Sequence, residues 1–253
     1  MINASQKKKC LFSLSYIALF FTLSCTKDIK YEFDTVVINT TDFEQCEYEQ
    51  CPEVHIETLA LLQPPTLKTV VDTALARYYH DLLTIQGQAV PSLRQDVQAY
   101  LNNAQTAYPE DSILSETHEL EITTLPSFYN NDILSLQTFT YEYAGGAHGY
   151  SKLYYHHFDV ATALPLSPLD LIKDVPAFTA FAKAYIAQKN AQNQAQQSEL
   201  PKFGNQKFIL PEVIGLTGEG VHLYYQLFEI NDFQQQPAEV IIPWELAQDY
   251  LRF

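Results

Sequence analysis

Between residues 117 and 160 the chain runs through three stretches in which apolar and polar side chains alternate, separated only by short turns. That block limits the fold more than any other feature of the sequence. Residues 117–124, 133–143 and 152–160 each have strand length and a period of two. Asn130-Asn131-Asp132 turns the chain into the second stretch, and Gly145-Gly146 follows its end. Strands this close in sequence pair as antiparallel neighbours, because a parallel return needs a crossover of about a dozen residues or more.

Upstream, residues 35–39 and 54–61 read as two earlier strands, and Pro64-Pro65 stops the second. Leu67, Val71, Leu75 and Tyr79 then recur every fourth residue, so a helix starts at Thr66 and runs until Gly87 breaks it. A second helix follows from Pro91, with Val97 and Leu101 on its apolar stripe, and Pro109 closes it. Neither helix carries acids, histidines or serines that converge on a site. Downstream, Pro168 starts a short helical turn and Pro176 a longer helix that buries Phe178, Ala182, Tyr185 and Ile186. Residues 213–216 and 221–227 form a hairpin around Thr217-Gly218-Glu219-Gly220, 238–242 is a last strand, and Pro243-Trp244 opens a terminal helix. Strands in runs with helices grouped between them give an α+β fold: antiparallel sheets with helices packed on one face, in two sub-domains. The expected boundaries are a leader at 1–24, a tether at 25–34, an N-terminal α+β domain at 35–110 and a C-terminal α+β domain at 111–253.

The leader sets the compartment. Lys7, Lys8 and Lys9 precede an apolar run at residues 11–23, which is too short for a bilayer span of roughly 20 residues. It ends in Leu23-Ser24-Cys25, which resembles the lipobox of bacterial lipoproteins. The resemblance implies lipid on the Cys25 thiol, cleavage before it and acylation (palmitate) of the new amino terminus. The expected product is exported to the periplasm or cell surface and anchored to the outer or cytoplasmic membrane without crossing it. Export fits the remaining cysteines. Cys46 and Cys51 are an even pair in an oxidising compartment, spaced for a local disulfide that would add about 2 kcal/mol. A metal pair would need further soft ligands, and only His55 is near. Catalytic redox pairs favour two intervening residues rather than four.

Loss of the leader removes three lysines and no acid. Lys+Arg falls from 15 to 12 against 30 Asp+Glu, so the formal charge moves from −15 to −18. Such a body repels nucleic acid and anionic head groups and attracts cationic partners.

The sharpest motif is Tyr141-Glu142-Tyr143-Ala144-Gly145-Gly146-Ala147-His148-Gly149. It resembles the signature of a bacterial extracytoplasmic domain family of unknown biochemical role. The family occurs in the lysozyme-sensing anti-sigma factor RsiV and in the non-catalytic part of the peptidoglycan deacetylase PdaC. The likeness continues through residues 157–166, 220–230 and 240–246, so it spans 114–251. A looser match over 54–83 resembles the domain that usually precedes it. Ala163 stands where the family has glycine after Thr162, and residues 231–237 lack its usual Ala-x-Tyr-Ala-x-Gly run. The resemblance implies an envelope lipoprotein that binds or senses a cell-wall fragment or a wall-degrading enzyme such as lysozyme. A peptidoglycan-modifying enzyme or its accessory subunit is the alternative, and a structural envelope protein a further one.

No catalytic residue emerges from the motifs. The Gly145-Gly146-Ala147-His148-Gly149 loop lacks the Gly-x-Ser-x-Gly nucleophile turn that an esterase oxyanion loop would serve. Alternation sends His156 and His157 to opposite faces of one strand, and no His or Cys cluster has zinc spacing, so neither metal nor cofactor is expected. Asp159 and Asp170 sit at a strand end and a helix start, where each caps or turns backbone. A partner site is expected at the hairpin mouth, on Tyr143, Gly145, Gly146, His148 and Tyr150. Loops on rigid strands carry recognition, and tyrosines give contact area at low entropic cost.

Overall fold

The structure is a computed structural model and describes residues 28–47, 51–83, 92–107, 118–145, 147–192, 200–231, 234 and 236–253. The leader with Cys25 and the loop residue Gly146 lie outside the described residues. Six strands stand side by side in chain order: β1 (Glu32–Asn39), β2 (Glu53–Gln63), β3 (Glu119–Tyr129), β4 (Ile133–Tyr143), β5 (Tyr150–Asp159) and β6 (Leu164–Leu166). The β3–β4–β5 meander is antiparallel, as the short turns require. The β2–β3 pair is parallel. Its connection runs through two helices, α1 (Pro65–Leu83) and α2 (Leu93–Ala107), which is long enough to carry the chain back over the sheet. Strands from both sides of residue 110 therefore share one sheet. β1 starts at Glu32, so the last three residues of the expected tether are strand.

Register and pleat assign every side chain of this sheet to a face. Ile56, Ile122, Leu136, His156 and Phe158 share one face and are buried. The helix pair covers that face. Leu67, Val71, Leu75, Tyr79 and Leu83 of α1 point down onto it, with Val97 and Leu101 of α2 beside them. A buried hydrogen bond between His80 Nδ1 and Asp96 Oδ1, at 2.8 Å, ties the two helices together.

A second sheet, β7 (Val213–Leu216), β8 (Gly220–Tyr225) and β9 (Ala238–Pro243), packs on part of the opposite face. Leu153 and Tyr155 of β5 meet Val213 and Tyr224 there. Gly215 is required at this contact, because a Cβ on it would lie 2.2 Å from Cζ of the Tyr155 ring. The far side of the small sheet buries Ile214, Leu216, Val221, Leu223 and Ile242 against α3 (Val175–Gln192) and the closing helix α4 (Trp244–Ala247). β8 is thus covered on both faces and all six of its residues are buried.

Local chemistry agrees with several expectations. Asp159 accepts a hydrogen bond from the Thr162 amide at 2.7 Å, and Asp170 accepts from the amide and hydroxyl of Ser167 at 2.9 and 2.6 Å. Those bonds hold the Asp170 carboxyl below its ordinary pKa. Cys46 and Cys51 are joined in a disulfide with Cα atoms 5.5 Å apart. Ala163, in the family's glycine position, adopts φ 51°, so the turn keeps its left-handed residue without glycine.

Candidate functional site

The β4–β5 hairpin carries the residues singled out by the sequence. Gly145 has φ 83°, the left-handed conformation that glycine adopts freely, and a Cβ added to it would lie 3.8 Å from His118 Nε2. His148 is exposed at the loop, and Tyr150 is 64 % exposed at the start of β5. The structure does not bring the two tyrosines together. Tyr150 pairs with Glu142 and lies on the helix-covered face, whereas Tyr143 pairs with Glu119 on the opposite one. The hairpin mouth divides two surfaces.

On the Tyr143 side, the second sheet covers only the β5-proximal, turn-ward part of the large sheet, and the rest faces solvent. Register places Glu53, Glu57, Glu119 and Glu121 on this open area, beside Phe139, Tyr141 and Tyr143. Glu53, Glu121 and Phe139 are exposed and the others partly so. β1 to β4 contain no lysine or arginine, and the Lys152 of β5 pairs with Thr140 on the other face. The surface is acidic and aromatic with no cation of its own strands.

On the Tyr150 side, a groove of about 680 Å³ lies between α1 and the β5–β6 edge. That is within the usual range of small-molecule sites, about 300–1,000 Å³. Thr66, Thr69 and Thr73 form one rim at helical spacing, and Tyr154 and His156 form the facing wall. Tyr78 and Tyr154 stack with centroids 5.1 Å apart, and the His156 ring meets Tyr78 edge-on at 4.9 Å. Burial pushes the Tyr78 hydroxyl up to about 12 and His156 down to about 3, so both are neutral near pH 7. Behind the groove a buried chain of hydroxyls fixes His156. Its Nε2 is 3.3 Å from Thr138, which bonds Thr124 at 2.8 Å, and Tyr79 bridges Thr124 and Thr58 at 2.6 and 2.5 Å. The sequence signal for this groove was the threonine row on α1, which reads as an ordinary solvated helix face.

His157 points the other way, as alternation predicts. Its Nε2–H donates to the Ile214 carbonyl at 2.9 Å, which leaves Nδ1 to accept from the Ser135 hydroxyl at 2.9 Å. Burial lowers its pKa to about 4. Tyr155 and His222 complete this inter-sheet layer. The Tyr155 hydroxyl meets His222 Nδ1 at 2.7 Å, and His222 donates its Nε2–H to Glu239 at 3.0 Å. The order tyrosine–histidine–glutamate resembles a catalytic relay. Desolvation raises the phenol pKa and Gly215 backs the ring, so its evident work is to pin the two sheets. Among the described residues, no three His, Cys, Asp or Glu side chains group as metal ligands.

Comparison with known proteins bears on the family read from the sequence. Residues 47–151 match the family model described as deacetylase PdaC. Those residues are thus similar to a PdaC-type domain. The match falls earlier than the 114–251 stretch of strongest sequence likeness. It takes in the looser match at 54–83 together with α2, and ends at the start of β5. The fold is similar to a solved DUF3298 family member from Bacteroides fragilis, at 17 % identity and a TM-score of 0.63, over 88 % of this chain and 94 % of that one. A DUF3298 family protein from Pseudomonas aeruginosa is similar at 20 % identity and a TM-score of 0.54, over the same shares. No curated protein matches the chain. Among the described residues, no helix is long and apolar enough to cross a membrane.

Proposed function

We propose that this chain is a non-catalytic binding module of the cell envelope. It docks a basic protein, a wall-degrading enzyme such as lysozyme, on the open face of its six-stranded sheet. The observation that carries the reading is the combination on that face: four glutamates and three aromatic rings, with no lysine or arginine on the strands that form it. Each component has a physical role. The acids steer a cationic partner during encounter, and the formal charge of −18 without the leader strengthens the field. The aromatic rings give the contact its apolar area once water is expelled. A rigid sheet holds them in register, so little entropy is lost on binding. The expected place of work is outside the cytoplasm, on a lipid anchor at Cys25.

Surface-plasmon titration with lysozyme tests this. Wild-type protein should bind with an on-rate that falls steeply as salt rises. Glu53→Lys with Glu121→Lys, both at exposed positions, should weaken binding at least about tenfold at low salt while the thermal melt stays unchanged. Absence of lysozyme binding would dismiss that partner, and equal binding by the charge-reversed variant would dismiss the face.

A further inference from the structure

The groove on the other side of the sheet is independent of the acidic face and has a different chemistry. One wall is a row of hydroxyls, Thr66, Thr69 and Thr73, all exposed on α1. The facing wall is a flat aromatic surface on β5, where Tyr154 stacks on Tyr78 and packs against His156 at 4.7 Å. The floor between them includes Val70, Ala74 and Phe158.

We infer that the α1/β5–β6 groove is a binding site for a neutral saccharide. A pyranose ring has the same division as the groove. Its C–H face is apolar and flat, and its rim is hydroxylated. Laid against Tyr154, a sugar would turn its rim to the threonine row. The Thr73 hydroxyl already donates to the Thr69 carbonyl at 2.7 Å, so its oxygen is turned to accept. At the far end of the row Arg77 and Asp81 also line the groove, one rich in donors and the other in acceptors, on successive turns of α1. Their charges cancel, and the two rings whose protonation would matter, Tyr78 and His156, are held neutral by burial. Nothing in the groove selects a net charge, which sets this ligand class apart from the cationic partner of the open face. Tyr154 is the ring a ligand reaches, at 43 % exposed, while Tyr78 and His156 lie deeper and hold it in place. The His156 ring is itself fixed from behind by the hydroxyl chain through Thr138, so the aromatic wall is preformed.

Calorimetric titration of the full chain with chitotetraose and with cellotetraose tests the inference. At least one should bind, with an affinity that barely changes between low and high salt. Tyr154→Ala should weaken it by about fivefold or more, and Tyr154→Phe should restore it, since the ring and not the hydroxyl makes the contact. Thr69→Val should weaken it without altering the melting temperature. Binding of the aromatic dye ANS alone, with neither sugar taken up, would overturn the saccharide assignment. Equal sugar affinity in wild type and Tyr154→Ala would overturn the groove as its location. Glu53→Lys with Glu121→Lys should leave sugar binding untouched, and its loss there would merge the two sites and overturn their independence.

Discussion

Gly215→Ala is the smallest change that probes how the two sheets are joined. The added Cβ would fall 2.2 Å from Cζ of Tyr155, 2.3 Å from Cε2 and 2.5 Å from Cδ2. Ordinary carbon contacts begin near 3.5 Å, so the ring or the strand must give by roughly 1 Å. The ring has little room to do so. It is buried, and its hydroxyl is held by His222 at 2.7 Å and Gln137 at 3.2 Å. Overpacking of this kind costs about 1–3 kcal/mol, and a displaced tyrosine hydroxyl left without its partner adds about 1–3 kcal/mol. The expected loss is therefore about 2–6 kcal/mol. For a protein of this size each kcal/mol moves the melting temperature by about 2–4 °C, so a fall of about 4–24 °C should appear in a thermal melt followed by near-ultraviolet circular dichroism. A double-mutant cycle isolates the contact. Tyr155→Ala alone should be destabilising, but Gly215→Ala added to it should cost almost nothing, because the ring it collides with has gone. A Gly215→Ala melt within about 1 °C of the parent, or strict additivity in the cycle, would refute the reasoning.

Two further outcomes are expected. His156 and His157 have folded-state pKa values of about 3 and about 4 against 6.5 for a free histidine, so the unfolded chain binds protons that the folded one refuses. Their stabilising contribution is complete above pH 6.5 and declines as pH falls, through a window that closes at about 4 for His157 and about 3 for His156, at up to about 1.4 kcal/mol per pH unit for each. Urea midpoints measured at pH 7 and pH 5 should show it, and His156→Gln should roughly halve the slope; an unchanged slope would mean that burial does not keep this ring neutral. Ala163→Gly should raise the urea midpoint by about 1 kcal/mol of stability, because φ 51° is strained for alanine and free for glycine; a lower midpoint would show that unfolded-chain entropy outweighs that strain.

The strands were legible where short-range rules decide them. β4 has the expected bounds, and β5 differs by a residue or two, because alternation and tight turns are local. β3 was not read to its end. Its expected stop near Thr124 fails because Pro126 is tolerated in the strand: β2 pairs no further than Thr123, so this segment has β4 alone beside it, and the register shifts between Pro126 and Phe128. The parallel β2–β3 pair was hidden because pairing across two helices leaves no mark in either strand. β6 has three residues, too few for a period. The site divides in the same way. The hairpin loop was visible through its glycines, but the side of the sheet on which each tyrosine lies depends on register, which parity within β4 and β5 does not reveal. The groove needed α1 to be laid over β5, a long-range fact.

The chain entering β1 is fastened to one end of the large sheet. The Ile29 amide donates to Asn131 at 2.8 Å, the Tyr31 hydroxyl donates to the Asn130 carbonyl at 2.8 Å, and the Tyr31 ring packs on Tyr129 at 4.8 Å. All three contacts are at the β3–β4 turn. The Gly145 hairpin is at the other end of β4, 11 residues away, or roughly 35 Å along the strand. A body tethered through its first residues would therefore stand on end. Its attachment point would be the β3–β4 turn, and the hairpin, with Glu119, Glu121 and Tyr143 beside it, would be the part farthest from the membrane. In such a posture the acidic face projects outward like a blade, within reach of soluble proteins that the lipid surface would otherwise screen.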